Sequence, residues 1–276
     1  MANETISIFG CGWLGLPLAK FLISQGYGVK GSTTTAEKLD ALKNDGIEPF
    51  LIKLEPEIDG ERIASFLESQ VLVVNIPPQR REDIVPYHQR QIESLIQAVK
   101  KSPVKKVVFV SATSVYPPLN RVVREDDAVN PDTSVGEALC KVERMLVDES
   151  AFETTVIRFC GLIGYDRKPG RFYAGKKNLT GGSEPVNIIH QDDCVQIIFE
   201  IIRQQKWGKV YNACSDKHPL RKDFYTKAAE LSEFEKPEFI DDGKPVFFKV
   251  VNSDKLKKEL GFSFKYPDPI KALTES

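Results

Sequence analysis

Apolar residues in this chain come in short β-branched runs separated by longer stretches in which they recur every three or four positions. Residues 5–9 (Thr-Ile-Ser-Ile-Phe) read as a strand, and 14–24 carries apolar residues at 14, 16, 18, 21, 22 and 23, the spacing of a helix packed on a sheet. The alternation continues with a strand at 28–31, a helix over 36–43 and a strand at 49–52. A strand at 71–74, a helix over 87–100, a strand at 106–110, a helix over 136–147 and a strand at 154–159 complete the series. After Gly161 the texture turns to glycine-rich and aromatic loop, with Gly164, Gly170, Gly175, Gly181 and Gly182.

Buried strands spaced by helices call for a parallel sheet covered on both faces, because right-handed crossovers carry successive helices over it. The expected fold class is α/β, a doubly wound parallel sheet of Rossmann type with a smaller C-terminal lobe. Residues 1–160 form the nucleotide-binding domain in this reading. Residues 161–276 form a substrate lobe that contributes in part to the same sheet.

Composition narrows the function. The 38 basic and 39 acidic side chains of the 276 residues leave a net charge of −1, so no basic field exists to collect nucleic acid or an anionic membrane. No apolar run approaches the roughly 18 residues a membrane helix needs, and the expectation is a cytoplasmic protein. Cysteines stand at 11, 140, 160, 194 and 214 with no CxxC pair and no His-x-x-x-His, which points to reduced thiols and no metal site. Cys160 and Cys214 flank apolar runs and read as small buried hydrophobes.

Gly10-Cys11-Gly12-Trp13-Leu14-Gly15 is a GxGxxG motif between the first strand and the first helix. The first glycine permits a tight turn, the second lets a pyrophosphate approach the backbone, and the third lets the helix pack on the strand. The pyrophosphate would rest on the helix N-terminus. NAD sites usually carry an Asp or Glu about 20 residues on, to hold the ribose 2′-hydroxyl. That place here is Gly31-Ser32-Thr33-Thr34-Thr35, with no carboxylate before Glu37. Thr33, Thr34, Thr35 and Lys38 therefore suit a 2′-phosphate, so the cofactor is expected to be NADP(H), with NAD(H) as the alternative. The plainer reading of the stretch is a helix start, with Thr35 as cap and Lys38 solvated.

Further landmarks follow in order: 110–116 (Val-Ser-Ala-Thr-Ser-Val-Tyr), Lys141, 158–164 (Arg-Phe-Cys-Gly-Leu-Ile-Gly), 186–193 (Val-Asn-Ile-Ile-His-Gln-Asp-Asp), 208–213 and 260–262. With the glycine motif they make the chain resemble the extended short-chain dehydrogenase/reductases, in particular their atypical, NAD(P)-dependent epimerase/dehydratase-like branch. The resemblance implies a Tyr-x-x-x-Lys pair on the helix after the fifth strand and a Ser or Thr at that strand's end. The lysine tunes the tyrosine and holds the nicotinamide ribose, and the tyrosine exchanges a proton with the substrate. Lys141 matches, but Glu137 stands four residues before it, and the hydroxyl position is Ala112, beside Thr113 and Ser114.

Thr113, Ser114, Tyr116 and Lys141 are the candidate catalytic residues, with Glu137 as another acid–base group. Against them stand a packed Tyr116 before Pro117-Pro118 and a Glu137–Lys141 pair at i,i+4 on the solvated face. The resemblance also implies cofactor contact by Asn75, Ile76 and Pro77. His190 reads as a structural hydrogen-bonding group. Arg167, Lys168, Arg171, Lys176 and Lys177 form a local basic cluster that suits an anionic substrate, or else a mobile solvated lid. The expected function is NADP(H)-dependent redox or epimerisation of a small carbonyl, alcohol or sugar-like substrate by a monomer or homodimer. The alternative is a cofactor-binding sensor or scaffold without turnover.

Overall fold

The computed structural model describes residues 4–275. The chain divides into two compact units, each assembled from three segments. The first comprises Met1–Val115, Asn130–Arg158 and Ile197–Val210; the second comprises Tyr116–Val129, Phe159–Gln196 and Tyr211–Ser276.

The elements up to residue 115 are β1 (Thr5–Phe9), α1 (Gly15–Ser24), β2 (Gly28–Thr33), α2 (Leu39–Asn44), β3 (Glu48–Leu54), β4 (Ile58–Gly60), α3 (Ile63–Phe66), β5 (Val71–Val74), α4 (Ile84–Lys100) and β6 (Lys106–Ala112). They are followed by β7 (Arg121–Val123), α5 (Ser134–Val147), β8 (Glu153–Phe159), β9 (Gly161–Ile163), β10 (Ile188–His190), α6 (Gln191–Arg203) and β11 (Val210–Ala213). The chain closes with α7 (Arg221–Leu231), β12 (Lys249–Val251), α8 (Asp254–Leu260) and α9 (Pro269–Glu275).

The central sheet has eight strands in the order β11-β8-β6-β5-β1-β2-β3-β4. β1 pairs in parallel with both β2 and β5, so the winding reverses there, and the doubly wound expectation holds. Ligands of open α/β sheets lie at such a switch point, beyond the carboxyl ends of the strands. The middle strands are buried on both faces; Ile6, Ile8, Leu72, Val73 and Val74 are inaccessible to solvent.

Up to residue 115, three elements differ from the sequence reading. The helix expected over 36–43 is a 3-10 turn over Ala36–Lys38 followed by α2. The sequence reading also lacks β4, an antiparallel partner of β3, and the single-turn α3, both too short to show a periodicity.

A buried ion pair ties α5 to β8 within the first unit. The Arg158 guanidinium donates to both Glu143 oxygens, with Nη2 at 2.7 Å from Oε2, and the Ser111 hydroxyl at the end of β6 donates to Oε1 at 2.5 Å. The paired side chains are only 8% and 6% exposed, so each charge depends on the other for solvation.

The second unit has two small parallel pairs, β9 with β10 and β7 with β12. Its core gathers Ile163, Val186, Ile188, Phe224 and Tyr266. Burial pushes the Cys11 thiol in the first unit up to about 12, and the five cysteines are free thiols. No helix among the described residues is long and apolar enough to cross a membrane.

Arg158→Met leaves the Glu143 carboxylate buried and uncompensated and should cost about 3–5 kcal/mol in urea unfolding. Adding Glu143→Leu should recover most of that loss. A single variant as stable as the wild type would show that the pair is solvated.

Candidate functional site

The glycine turn is built by backbone contact. Gly10 has φ +102°, and a Cβ there would stand 2.6 Å from the Asn75 carbonyl oxygen. A Cβ on Gly15 would stand 2.1 Å from the Gly10 oxygen, so the first turn of α1 rests on the end of β1 at a distance no side chain tolerates. A Cβ on Gly12 would meet nothing within 4 Å, which leaves its backbone approachable from outside. The turn is fastened from two neighbouring strands. Cys11 N donates to Ser32 O at 2.8 Å, Gly10 N to Ser32 Oγ at 3.0 Å, and Asn75 Nδ2 to Gly10 O at 3.1 Å.

Leu14, at the N-cap of α1, supplies no side-chain cap, and no acidic residue stands in the first turn. The amide ends therefore present positive potential without a protein anion to meet it. Trp13, half-buried, lies within this turn. These features fit the pyrophosphate of a dinucleotide.

At the end of β2, Ser32 and Thr33 are buried, Thr34 is exposed and Thr35 is half-buried. Thr35 occupies the N-cap position of the following turn but makes no capping bond; its amide instead donates to Thr33 Oγ1 at 3.2 Å. The capping role read for Thr35 is thus corrected. Lys38 and Glu37 are exposed, so the first carboxylate after β2 points into solvent. Asn75 and Ile76 are half-buried and Pro77 is exposed, directly after β5.

The candidate catalytic groups do not converge. Thr113 and Ser114 form a 3-10 turn after β6, with Thr113 buried and Ser114 Oγ buried without a hydrogen-bond partner. α5 lies against this turn: a Cβ on Gly136 would stand 2.3 Å from the Ser114 oxygen. Leu139 and Glu143, one turn apart, are on its buried face. Lys141 is on the opposite, exposed face, where Nζ pairs with Glu137 Oε1 at 2.8 Å. That is the surface pairing weighed from the sequence.

Tyr116 belongs to the second unit, is wholly buried, and donates its hydroxyl to Asn212 Oδ1 at 2.6 Å. It is the packed tyrosine of the plainer reading. The sequence reading missed Ser32, Ser111, Glu143 and Arg158; a carboxylate inside the apolar stripe of α5 was the one available signal for Glu143.

A second polar cluster lies within the second unit. His190 is inaccessible to solvent, its Nδ1 accepts from Asp192 N at 3.1 Å, and its ring packs between Tyr165 (5.5 Å) and Tyr266 (4.1 Å). Burial holds its pKa below the ordinary histidine value, so the ring is neutral, in keeping with a structural role. Asp193, also inaccessible, accepts from Lys265 N at 2.7 Å and Tyr266 N at 3.1 Å, yet burial pushes its pKa up to about 6. Of the basic cluster, Lys177 pairs with Glu238 at 3.2 Å and Lys176 lies over Tyr173 at 5.4 Å, whereas Arg167, Lys168 and Arg171 are exposed.

No family model matches the chain. It is 33% identical over 272 residues to Protein YeeZ of Escherichia coli K12, covering 97% of this chain and 98% of that one. The chain belongs to the YeeZ family. Among solved structures, UDP-N-acetylglucosamine 4-epimerase of Bacillus cereus superposes with a TM-score of 0.78 at 16% identity, covering 99% of this chain and 95% of that one. A short-chain dehydrogenase/reductase superfamily protein of Agrobacterium tumefaciens with bound NAD superposes at 0.76 and 17% identity, over 98% and 96% of the two chains. This YeeZ-family chain thus has the fold of the epimerases and short-chain dehydrogenase/reductases, as its motifs led us to expect.

Asp193 yields a pH prediction. Its folded pKa stands above the unfolded value, so its contribution is full below pH 4 and is lost as pH rises through 6, by about 3 kcal/mol. Urea unfolding at pH 4.5 and 7.5 should show about 2 kcal/mol of that loss in the wild type and a flatter profile in Asp193→Asn. Parallel profiles would mean that Asp193 titrates normally.

Proposed function

We propose that this chain binds NADP(H) in its first unit and acts as an oxidoreductase of the epimerase/dehydratase kind on a small carbonyl, alcohol or sugar-like substrate in the cytoplasm. The observation that carries the reading is the glycine turn: an approachable Gly12 backbone at an uncapped helix N-terminus, with hydroxyls and Lys38 where NAD sites carry an acid. The bound dinucleotide would supply or accept hydride at its nicotinamide.

The chain's own groups have distinct tasks in this reading. Gly10, Gly12, Trp13, Leu14 and Gly15 hold the pyrophosphate; Thr33, Thr34, Thr35 and Lys38 hold the 2′-phosphate. Asn75, Ile76 and Pro77 flank the dinucleotide at the end of β5. Proton handling falls to Thr113 and the unpartnered Ser114 hydroxyl, since Lys141 faces outward and the Tyr116 phenol is engaged with Asn212. Those last two facts also favour a second reading, a cofactor-binding sensor or scaffold without turnover.

Two tryptophans, Trp13 and Trp207, make binding visible, because Trp13 lies in the glycine turn and its emission should transfer to a bound dihydronicotinamide. NADPH should bind about 10-fold tighter than NADH. Gly12→Asp, which sets a carboxylate against the pyrophosphate, should weaken both by roughly 100-fold. Lys38→Ala should weaken NADPH alone by about 10-fold, the value of one charge-assisted hydrogen bond. Equal affinity for the two nucleotides would remove the NADP preference, and binding of neither would remove the reading. NADPH oxidation with a panel of small carbonyls, unaffected by Lys141→Ala, would decide for the enzyme over the sensor.

A further inference from the structure

Three of the five cysteines, Cys160, Cys194 and Cys214, meet in the second unit. Cys160 directly follows β8 and Cys214 directly follows β11, and these strands are neighbours in the central sheet. Val156 N donates to Lys209 O at 2.8 Å and Cys160 N to Ala213 O at 3.0 Å, so the two strands run in parallel. In a parallel ladder the donating residue stands opposite the one after its acceptor, which sets Cys160 opposite Cys214. Residues paired in this way lie about 4.7–4.9 Å apart across the ladder and carry their side chains on one face. A disulfide spans about 4.4–6.8 Å between Cα atoms. The two backbones therefore stand at bridging distance in the reduced chain.

Beyond this pair the strands fork. Gly161 N donates to Asn187 O and Ser215 N to Ile188 O, both at 2.9 Å, so the segment leading into β10 enters between them. The thiols lie at the fork, with Cys160 4% and Cys214 1% exposed. Burial, and then the Cys160 thiol to which it is hydrogen-bonded, push the Cys214 thiol well above its ordinary value; its contact with Ile188 O, at 3.6 Å, acts weakly the other way. Cys194, in the first turn of α6, is inaccessible to solvent, and burial, then Asp193 and Cys160, push its thiol up as well. One thiol of the opposed pair can be reached from outside. Cys214 lines a cavity of about 190 Å³ together with Ser215, His218 and Ser253, rimmed by the exposed Asp216 and Asp254. That space admits a small neutral oxidant and not a protein disulfide.

We propose that Cys160 and Cys214 form a reversible oxidation site, at which hydrogen peroxide entering the Cys214 cavity converts the opposed thiols into a disulfide that staples the fork. The Cys214 sulfur attacks the peroxide: an S–O bond forms, the O–O bond breaks, and the thiol proton leaves in water. The Cys160 sulfur then attacks the sulfenic sulfur: the S–S bond forms, the S–O bond breaks, and the hydroxyl leaves as a second water with the Cys160 proton. The two thiols lose two electrons and two protons, and the peroxide takes up both. A small thiol reverses the bridge by exchange. Because the thiolate is the nucleophile and burial disfavours it, the pair reacts slowly at neutral pH and faster as the pH rises. It responds to sustained exposure and ignores a brief one.

This inference does not depend on dinucleotide binding. The reduced full chain is exposed to hydrogen peroxide, blocked with N-ethylmaleimide under denaturing conditions, cut with trypsin and read by mass spectrometry. The expected product is a Cys160–Cys214 peptide pair lacking two hydrogens, which dithiothreitol separates. It should form at least about 10-fold faster at pH 9 than at pH 7, following the thiolate fraction. The oxidised chain should also melt about 5–10 °C higher than the reduced one, because an unstrained bridge closes the loop 160–214 in the unfolded chain.

Cys214→Ala should abolish both the bridge and the rise, and Cys194→Ala should keep them; the wild-type readouts stand without either variant. Recovery of Cys160 and Cys214 as alkylated thiols while Cys140 is oxidised would overturn the proposal. So would a bridge from Cys160 to Cys194, or a Cys160–Cys214 bridge that lowers the melting temperature, since the backbones would then have to move to form it. Absence of NADPH-induced Trp13 quenching in a reduced chain that still forms the bridge would remove the dinucleotide reading alone.

Discussion

The approach of the first turn of α1 to the end of β1 is the constraint on which the rest of the first unit depends. A single added methyl at residue 15 would meet the Gly10 oxygen at 2.1 Å, and one at residue 10 would meet the Asn75 oxygen at 2.6 Å. Three chain segments, β1, α1 and the segment after β5, are thus in backbone contact at the switch point of the sheet. The contact sets the helix end, leaves its amides without a protein anion, and brings Asn75 and Ser32 in to fasten the turn. The shape of the turn follows from how closely backbones can pack when no Cβ intervenes.

α5 shows how one helix can serve two solvents. Its inner face rests on the Thr113–Val115 turn and sends Glu143 inward to Arg158 and Ser111; its outer face carries the Glu137–Lys141 pair in water. The inner pair must be complete to be tolerated, because a lone buried charge costs several kcal/mol, on the order of 3–5. The outer pair is worth well under about 1 kcal/mol and constrains little. A helix arranged this way positions the turn after β6 firmly while offering that turn no lysine.

Around His190 the second unit keeps its buried polar groups neutral or paired. His190 is buried and uncharged, Asp193 is held by backbone amides, and Asp192 shares its oxygens between Tyr165 and Lys265. Tyr165, at φ +51°, joins this network through its hydroxyl on Asp192 and its ring beside His190.

Much of the first unit was legible in the sequence, because strand and helix periods and the glycine spacing are local properties. The runs at 5–9, 71–74 and 106–110, the helix after residue 14 and the missing acid after β2 needed no long-range information. Helical spacing put Lys141 four residues after Glu137, and the sequence offered both a cofactor role and a surface pair. Only the rotation of α5 on the sheet decided that the lysine faces water and Glu143 faces Arg158. The same holds for Tyr116, whose partner Asn212 is distant in sequence, and for Tyr165, whose hydroxyl meets Asp192 and whose ring meets His190. The sequence by itself determined the main alternation of strands and helices in the first unit and the backbone turn at its glycine motif. Tertiary packing alone decided which side chains meet, because an ionisable group's neighbours, and hence its charge and reach, come from segments that no local pattern connects.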